Sequence, residues 1–303
     1  MTLENESTRP FKKAKTFDEQ IDILKKRKLI IGNEEEAKIV LATVNYYRFS
    51  GYFRYYYKYG REEFKEGSSF EEIYDLYKFD TELRRLCMEL TEEVEIKFRT
   101  HIAYYIAHNF GEYGHLEKDN FYNEKFHDSF METLKNKIIS FKDKEYIKHH
   151  KEIYDGKIPI WVVVEILSFT DLSKLYSNMK DHDRKKIVRD NYTDLDVVNN
   201  SNIVRNWIQS LLEVRNICAH YERLYDSKFS KYIKLPKQYK DKNIKANSLF
   251  AHLIIFKLLI DDDKLWGRFM ERFDNIISKY KFEKLGNMGF IENWREILVT
   301  KKD

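Results

Sequence analysis

Apolar residues recur at helical spacing along nearly the whole of this chain. Phe17, Ile21 and Leu24 share one face of a 3.6-residue period, and Thr16 with Glu19 has the form of a capping box just before them. Gly32 and Asn33 interrupt the pattern. Asn33 is placed to cap a second helix whose stripe includes Ala37, Val40, Leu41 and Val44. That helix leads into an aromatic segment, Asn45 to Tyr52, which turns at Gly51. Ser69 then caps a stretch predicted to stay helical to about residue 109. Ile73, Leu76, Leu83, Leu86, Leu90, Val94, Phe98, Ile102, Tyr105 and Ile106 are among its apolar positions, and Gly111 and Gly114 end it.

The pattern continues with one helix over about 125–150, and a second over about 160–178 that starts next to Pro159. A short helix near 181–190 precedes one running from about 196 to about 226. A basic loop holding Pro236 covers about 227–243, and helices near 244–262, 264–280 and 290–298 complete the chain. No segment reads as a strand and no short internal repeat is present. The class is therefore all-α, a multi-helix bundle. The organisation expected is a polar basic arm over residues 1–15, a helical region over 16–155, and a helical domain over 156–303.

Composition narrows the picture. Three prolines and ten glycines in 303 residues leave little punctuation, which suits long helices. The 43 Tyr and Phe residues suit an aromatic core or stacking platforms for bases. The net charge is only +4, so local runs matter more. One lies in Lys12, Lys13, Lys15 and Lys25 to Lys28, the other between Lys228 and Lys245. Only Cys87 and Cys218 are present, both in apolar helical patterns, which argues for packed thiols in a reducing compartment. No apolar run approaches 18 residues, and Met1 to Lys15 has no signal-peptide core. The expectation is a soluble cytoplasmic protein with no membrane partner.

The candidate chemistry sits in Arg215-Asn216-Ile217-Cys218-Ala219-His220-Tyr221-Glu222-Arg223. A histidine can exchange a proton near neutral pH, and an arginine can hold phosphorane charge with two hydrogen bonds. Together they fit metal-free phosphodiester cleavage. On a straight helix Leu211, Val214, Cys218, Tyr221 and Tyr225 form an apolar stripe, opposed by Glu213, Asn216, His220 and Arg223. Arg215 then lies roughly 140° around the axis from His220. Three arrangements would join them: a long reach by the arginine, a deformed helix, or a site built from two chains. The last suits transesterification, which uses a base and an acid at once, because a two-fold dimer supplies two copies of His220. Glu95 and Arg99 are spaced as an i, i+4 ion pair, with bracing of the Arg215/His220 site as the alternative. His101, His108 and His115 lack the spacing of a helical metal site, and no metal or other cofactor is expected.

The chain resembles abortive-infection proteins of the AbiD/AbiF type, within the HEPN ribonuclease superfamily. The resemblance runs from about Phe11 to about Asp226 and rests on five segments in order. These are Asn45 to Tyr52, Leu76 to Arg84, Glu93 to Thr100, Pro159 to Glu165 and Val214 to Leu224. It implies a helical fold with a HEPN-like bundle in the second half, and a metal-independent endoribonuclease acting as a homodimer. Arg215 and His220 fall on the family's catalytic Arg-x4-His pair, and Asn216 on the position after the arginine. Arg223 and Tyr221 are lesser candidates for RNA contact or support, with Tyr221 expected to pack. Some relatives are toxins restrained by a small RNA, and some HEPN proteins pair with nucleotidyltransferases, although this chain has no transferase motif. The alternative is a non-catalytic RNA-binding module held by a cognate small RNA.

Overall fold

Capping chemistry sets the helix starts. The computed structural model describes residues 13–193, 200–281 and 284–299. The expected arm over 1–15 lies mostly outside that range. Helix α1 (Phe17–Lys26) begins at the Thr16/Glu19 capping box, and α2 (Glu34–Val44) begins where Asn33 accepts a hydrogen bond from the Glu36 N–H. A short α3 (Tyr46–Ser50) follows Asn45, a left-handed residue at φ 68° whose side chain accepts from the Tyr47 N–H. Ser69 and Glu72 exchange hydrogen bonds at the start of α4 (Phe70–Phe110), 41 residues and about 60 Å long. The chain divides into two compact units, residues 1–79 and 80–303, with the boundary inside α4. Residues on both sides of position 155 thus share one unit.

In the first unit the aromatic segment is core. Phe49 is fully buried, with ring centroids of Phe53 and Phe70 at 5.3 and 4.8 Å. Its basic residues are largely engaged: Lys25 pairs with Glu34, Arg27 with Glu62 and Lys28 with Glu63.

The second unit is organised along the remainder of α4, whose Leu83, Leu86, Leu90, Val94, Phe98 and Ile102 are buried. Two expected helices are each broken. The 125–150 stretch is α5 (Glu124–Ser140) and α6 (Glu145–Ile153), separated by a turn at Phe141–Lys144. The 160–178 stretch is α7 (Ile160–Ile166) and α8 (Phe169–Asn178). Ser168 and Asp171 form a capping box there that restarts the helix. Next come α9 (Asp181–Asn191), α10 (Ser201–Ala219), a single turn α11 (Lys237–Lys240) within the basic loop, α12 (Leu249–Ile260), α13 (Asp263–Lys279) and α14 (Trp294–Val299). Helix α12 is buried at every position but Lys257, so it is a central helix with no polar face. Gly289, at φ 85°, lies against its start; a Cβ there would come within 2.3 Å of the Ser248 Cβ. Among the described residues there are isolated β-bridges but no strand. No helix among them is long and apolar enough to cross a membrane.

Candidate functional site

Helix α10 carries the Arg-Asn…His motif, and its burial pattern orients it. Val204, Trp207, Ile208, Leu211, Val214 and Cys218 are buried, whereas Asn216 and His220 are exposed and Arg215 is half-buried. Burial pushes the Cys218 thiol up to about 12, which fits a packed group rather than a nucleophile. Cys87 is likewise buried and pushed up by desolvation.

The helix ends earlier than its periodicity predicts. Ala219 is its last residue and His220 its C-cap. The Tyr221 N–H donates to the Cys218 carbonyl at 3.2 Å, and the Glu222 N–H to the Ile217 carbonyl at 2.9 Å. Those two bonds define a Schellman motif. Its left-handed position, normally glycine, is Tyr221 at φ 57°. Expected on the apolar stripe and packed, Tyr221 is instead 69% exposed, because the chain turns off the helix there. Arg223 also lies beyond the helix, half-buried in the following turn. Tyr225 is buried as expected, but the turn and not the helix puts it there.

A buried carboxylate holds this turn. Asp80 on α4 accepts from the Tyr225 N–H at 2.7 Å and the Leu224 N–H at 3.3 Å. Arg84, one turn along α4, donates to Asp80 at 2.5 Å and to Thr81 at 2.9 Å. Asp80 is fully buried and Arg84 nearly so. An ion pair at that depth holds its geometry because breaking it leaves a charge stranded. Asp80 and Arg84 lie inside the matched segment Leu76 to Arg84, yet their role was not legible there. The available signal was an i, i+4 ion pair set in an apolar stripe.

Arg215 and His220 are poised but unoccupied by the protein itself. Among the described residues Arg215 makes one long hydrogen bond, 3.4 Å to the Asn216 side-chain oxygen, and no ion pair; its Nε is buried without a partner there. The His220 ring has no hydrogen-bond partner among the described residues. The helix stays regular through this region, with the His220 N–H donating to Asn216 O at 2.9 Å, so deformation does not bring the two together. Glu95 and Arg99 do form the i, i+4 pair. The other arm of Arg99 donates to the Val164 carbonyl at the end of α7. Glu95 and Arg99 sit about 16 and 22 Å along α4 from Arg84, and the bond they make across the fold is to α7.

After the turn, the chain runs back along α10. Glu213 accepts from the Ser230 N–H, Lys231 donates to Gln209, Asn206 bonds to the backbone of Tyr232 and Lys234, and the Trp207 indole donates to the Lys234 carbonyl. The basic loop is therefore strapped beside the motif helix. Lys228, Lys234, Lys240, Lys242 and Lys245 are exposed, with no ion pair among the described residues. No group of three or more His, Cys, Asp or Glu among those residues converges as metal ligands.

A family model described as Abi-like protein matches residues 39–226, more than half the chain, from within α2 to the turn after α10. The chain belongs to that family, which associates it with abortive infection. No curated protein and no solved structure matches it.

Proposed function

We propose that this Abi-like protein is a metal-independent endoribonuclease of the HEPN type, acting in abortive infection against phage. The observation that carries the reading is the state of Arg215 and His220. A cation and an imidazole stand at an exposed helix end, on a turn fixed by Asp80, and neither has an ion pair among the described residues. A buried polar atom that serves only the fold is ordinarily paired within it, and the Arg215 Nε is buried without a partner among those residues.

In the proposed reaction a base removes the proton from the RNA 2′-OH. The 2′ oxygen bonds to phosphorus, the bond from phosphorus to the 5′ oxygen breaks, and an acid returns a proton to that leaving oxygen. The products are a 2′,3′-cyclic phosphate and a 5′-hydroxyl. His220 fills one proton-transfer role. Arg215 holds the charge that grows on the non-bridging oxygens, and Asn216 positions one of these groups. A helix C-terminus carries partial negative charge, so a phosphate there depends on side-chain cations and not on backbone N–H groups. Because the helix is regular up to its C-cap, His220, whose N–H still donates to Asn216 O, Arg215 projects about 140° away from it around the axis. A two-fold pair of chains resolves this, each His220 serving with the partner's motif and supplying the acid to the other's base. Access and timing then belong to regulation, for which a small antitoxin RNA is a fitting partner.

The test uses wild type, Arg215→Ala and His220→Ala incubated with total bacterial RNA in EDTA, followed by end-group analysis. Cleavage by wild type alone, leaving cyclic phosphate ends, supports the reading, provided both variants stay folded. RNA that co-purifies uncut with all three would replace it with a binding module held by its RNA.

A further inference from the structure

Beside the motif, and still on α10, lies an open cleft of about 620 Å³ between α5, α8 and α10. Its volume is that of a small-ligand site. Its outer wall is aromatic: Tyr122 and Phe126 are 79% and 66% exposed, an unusual state for two neighbouring rings. The wall is rigid. The Tyr122 N–H donates to the Asn178 carbonyl at 2.7 Å, and the side chain of Asn178 bonds to both backbone groups of Asn123. Asn123 in turn caps α5 through the Phe126 N–H.

The lining is also cationic. Arg205 is half-buried in the cleft and makes no hydrogen bond or ion pair among the described residues. Lys174 lines the same space, without an ion pair among those residues. The one carboxylate lining the cleft, Asp171, is already engaged by Ser168 and Lys137. Exposed rings and an unpaired guanidinium lining one cleft are the recognition chemistry of a stacked base and its phosphate.

Position selects the ligand. Arg205, Gln209, Asn216 and His220 lie within about 60° of one another around α10. Gln209 is about 16 Å along the axis from His220, a few nucleotides of extended strand. Lys231, in the basic loop, bonds to Gln209 at the cleft edge. We propose that this cleft is a base-binding subsite for single-stranded RNA, holding a nucleotide a few positions from the scissile phosphate and so setting where the strand is cut. This rests on the ribonuclease reading for its scissile phosphate, but its binding chemistry does not.

The test separates the two. The full-length protein is titrated with a fluorescent 2′-O-methyl RNA, which cannot be cleaved through the 2′ position. Tyr122→Ser, Phe126→Ser and Arg205→Gln are compared with wild type, with circular dichroism confirming the fold. Each ring removed is expected to weaken binding roughly tenfold. Loss of Arg205 is expected to lower the salt dependence by close to one phosphate contact. An RNA carrying 5-iodouridine should photocrosslink to Tyr122 or Phe126. Wild-type cleavage with unchanged binding in all three variants would overturn the subsite and leave the ribonuclease standing. Cleft-dependent binding without cleavage would sustain the subsite and remove the ribonuclease. Absence of RNA binding by wild type would overturn the subsite outright.

Discussion

Replacing Tyr221 with glycine is expected to stabilise the protein while weakening its hold on RNA. The left-handed backbone of Tyr221 costs a side-chain-bearing residue about 1–2 kcal/mol. Glycine removes that cost, but its freedom in the unfolded chain takes back about 0.4–1 kcal/mol. The ring is 69% exposed, so little burial is lost with it. The net gain is about 0.5–1 kcal/mol, or roughly 1–2 °C in Tm for a chain of this size. Tyr221→Ala is the control: it loses the same ring but keeps the Cβ, so it gains nothing from the backbone. Urea and thermal unfolding of the three proteins read the stability. Titration with uncleavable single-stranded RNA reads the binding, which should fall several-fold in both variants if the ring meets a base. A glycine variant less stable than wild type by 1 kcal/mol or more would refute the reasoning, because it would mean that the ring is packed and its contacts outweigh the backbone strain.

Asp80→Asn should abolish RNA cleavage although Asp80 lies buried beneath the turn, and should cost about 3–5 kcal/mol in urea unfolding by stranding Arg84. Adding Arg84→Met to it should recover part of that loss, and strict additivity of the two substitutions would argue against a coupled pair. Acid should destabilise the fold before most carboxylates titrate. Burial pushes His115 and His252 down to about 4, below the ordinary 6.5. Above pH 6.5 both folded and unfolded chains hold them neutral, so stability is whole. As pH falls toward 4 only the unfolded chain takes up their protons, which costs about 2 kcal/mol per histidine by pH 5. Unfolding free energies equal at pH 7.5 and pH 5 would contradict that account.

Local chemistry explains which parts of the fold the sequence revealed. The caps at Thr16, Asn33 and Ser69 involve residues three apart, and all three formed as read. The α7–α8 break was hidden because burial runs through it, at Val163, Val164, Ile166, Leu167, Phe169 and Leu172. The signal against that continuous stripe was the Ser168/Asp171 capping box, which periodicity alone outweighed. The end of α10 was hidden for the opposite reason. A helix stop is ordinarily announced by glycine, and here the left-handed residue is tyrosine. The contact of Asp80 with the turn spans 144 and 145 residues of sequence, beyond any local pattern. The cleft likewise gathers Tyr122, Lys174 and Arg205 from three separate segments.

Three features of the candidate site share one place in the fold. A tyrosine in a glycine conformation, a buried aspartate spent on two backbone N–H groups, and an arginine with its Nε buried and unmatched all converge on one helix end. Left-handed side-chain-bearing residues and buried unpartnered atoms also occur elsewhere, at Lys28, Asp261 and His115 among others, but here they sit together on one turn. Their coincidence at Arg215 to Tyr225 fits a turn shaped by what it must present to a ligand, with the Asp80–Arg84 pair supplying the compensation that keeps it folded. On that argument the stability lost at the turn and the activity gained there are one property. Substitutions that relax the turn, Tyr221→Gly foremost, should separate them in opposite directions.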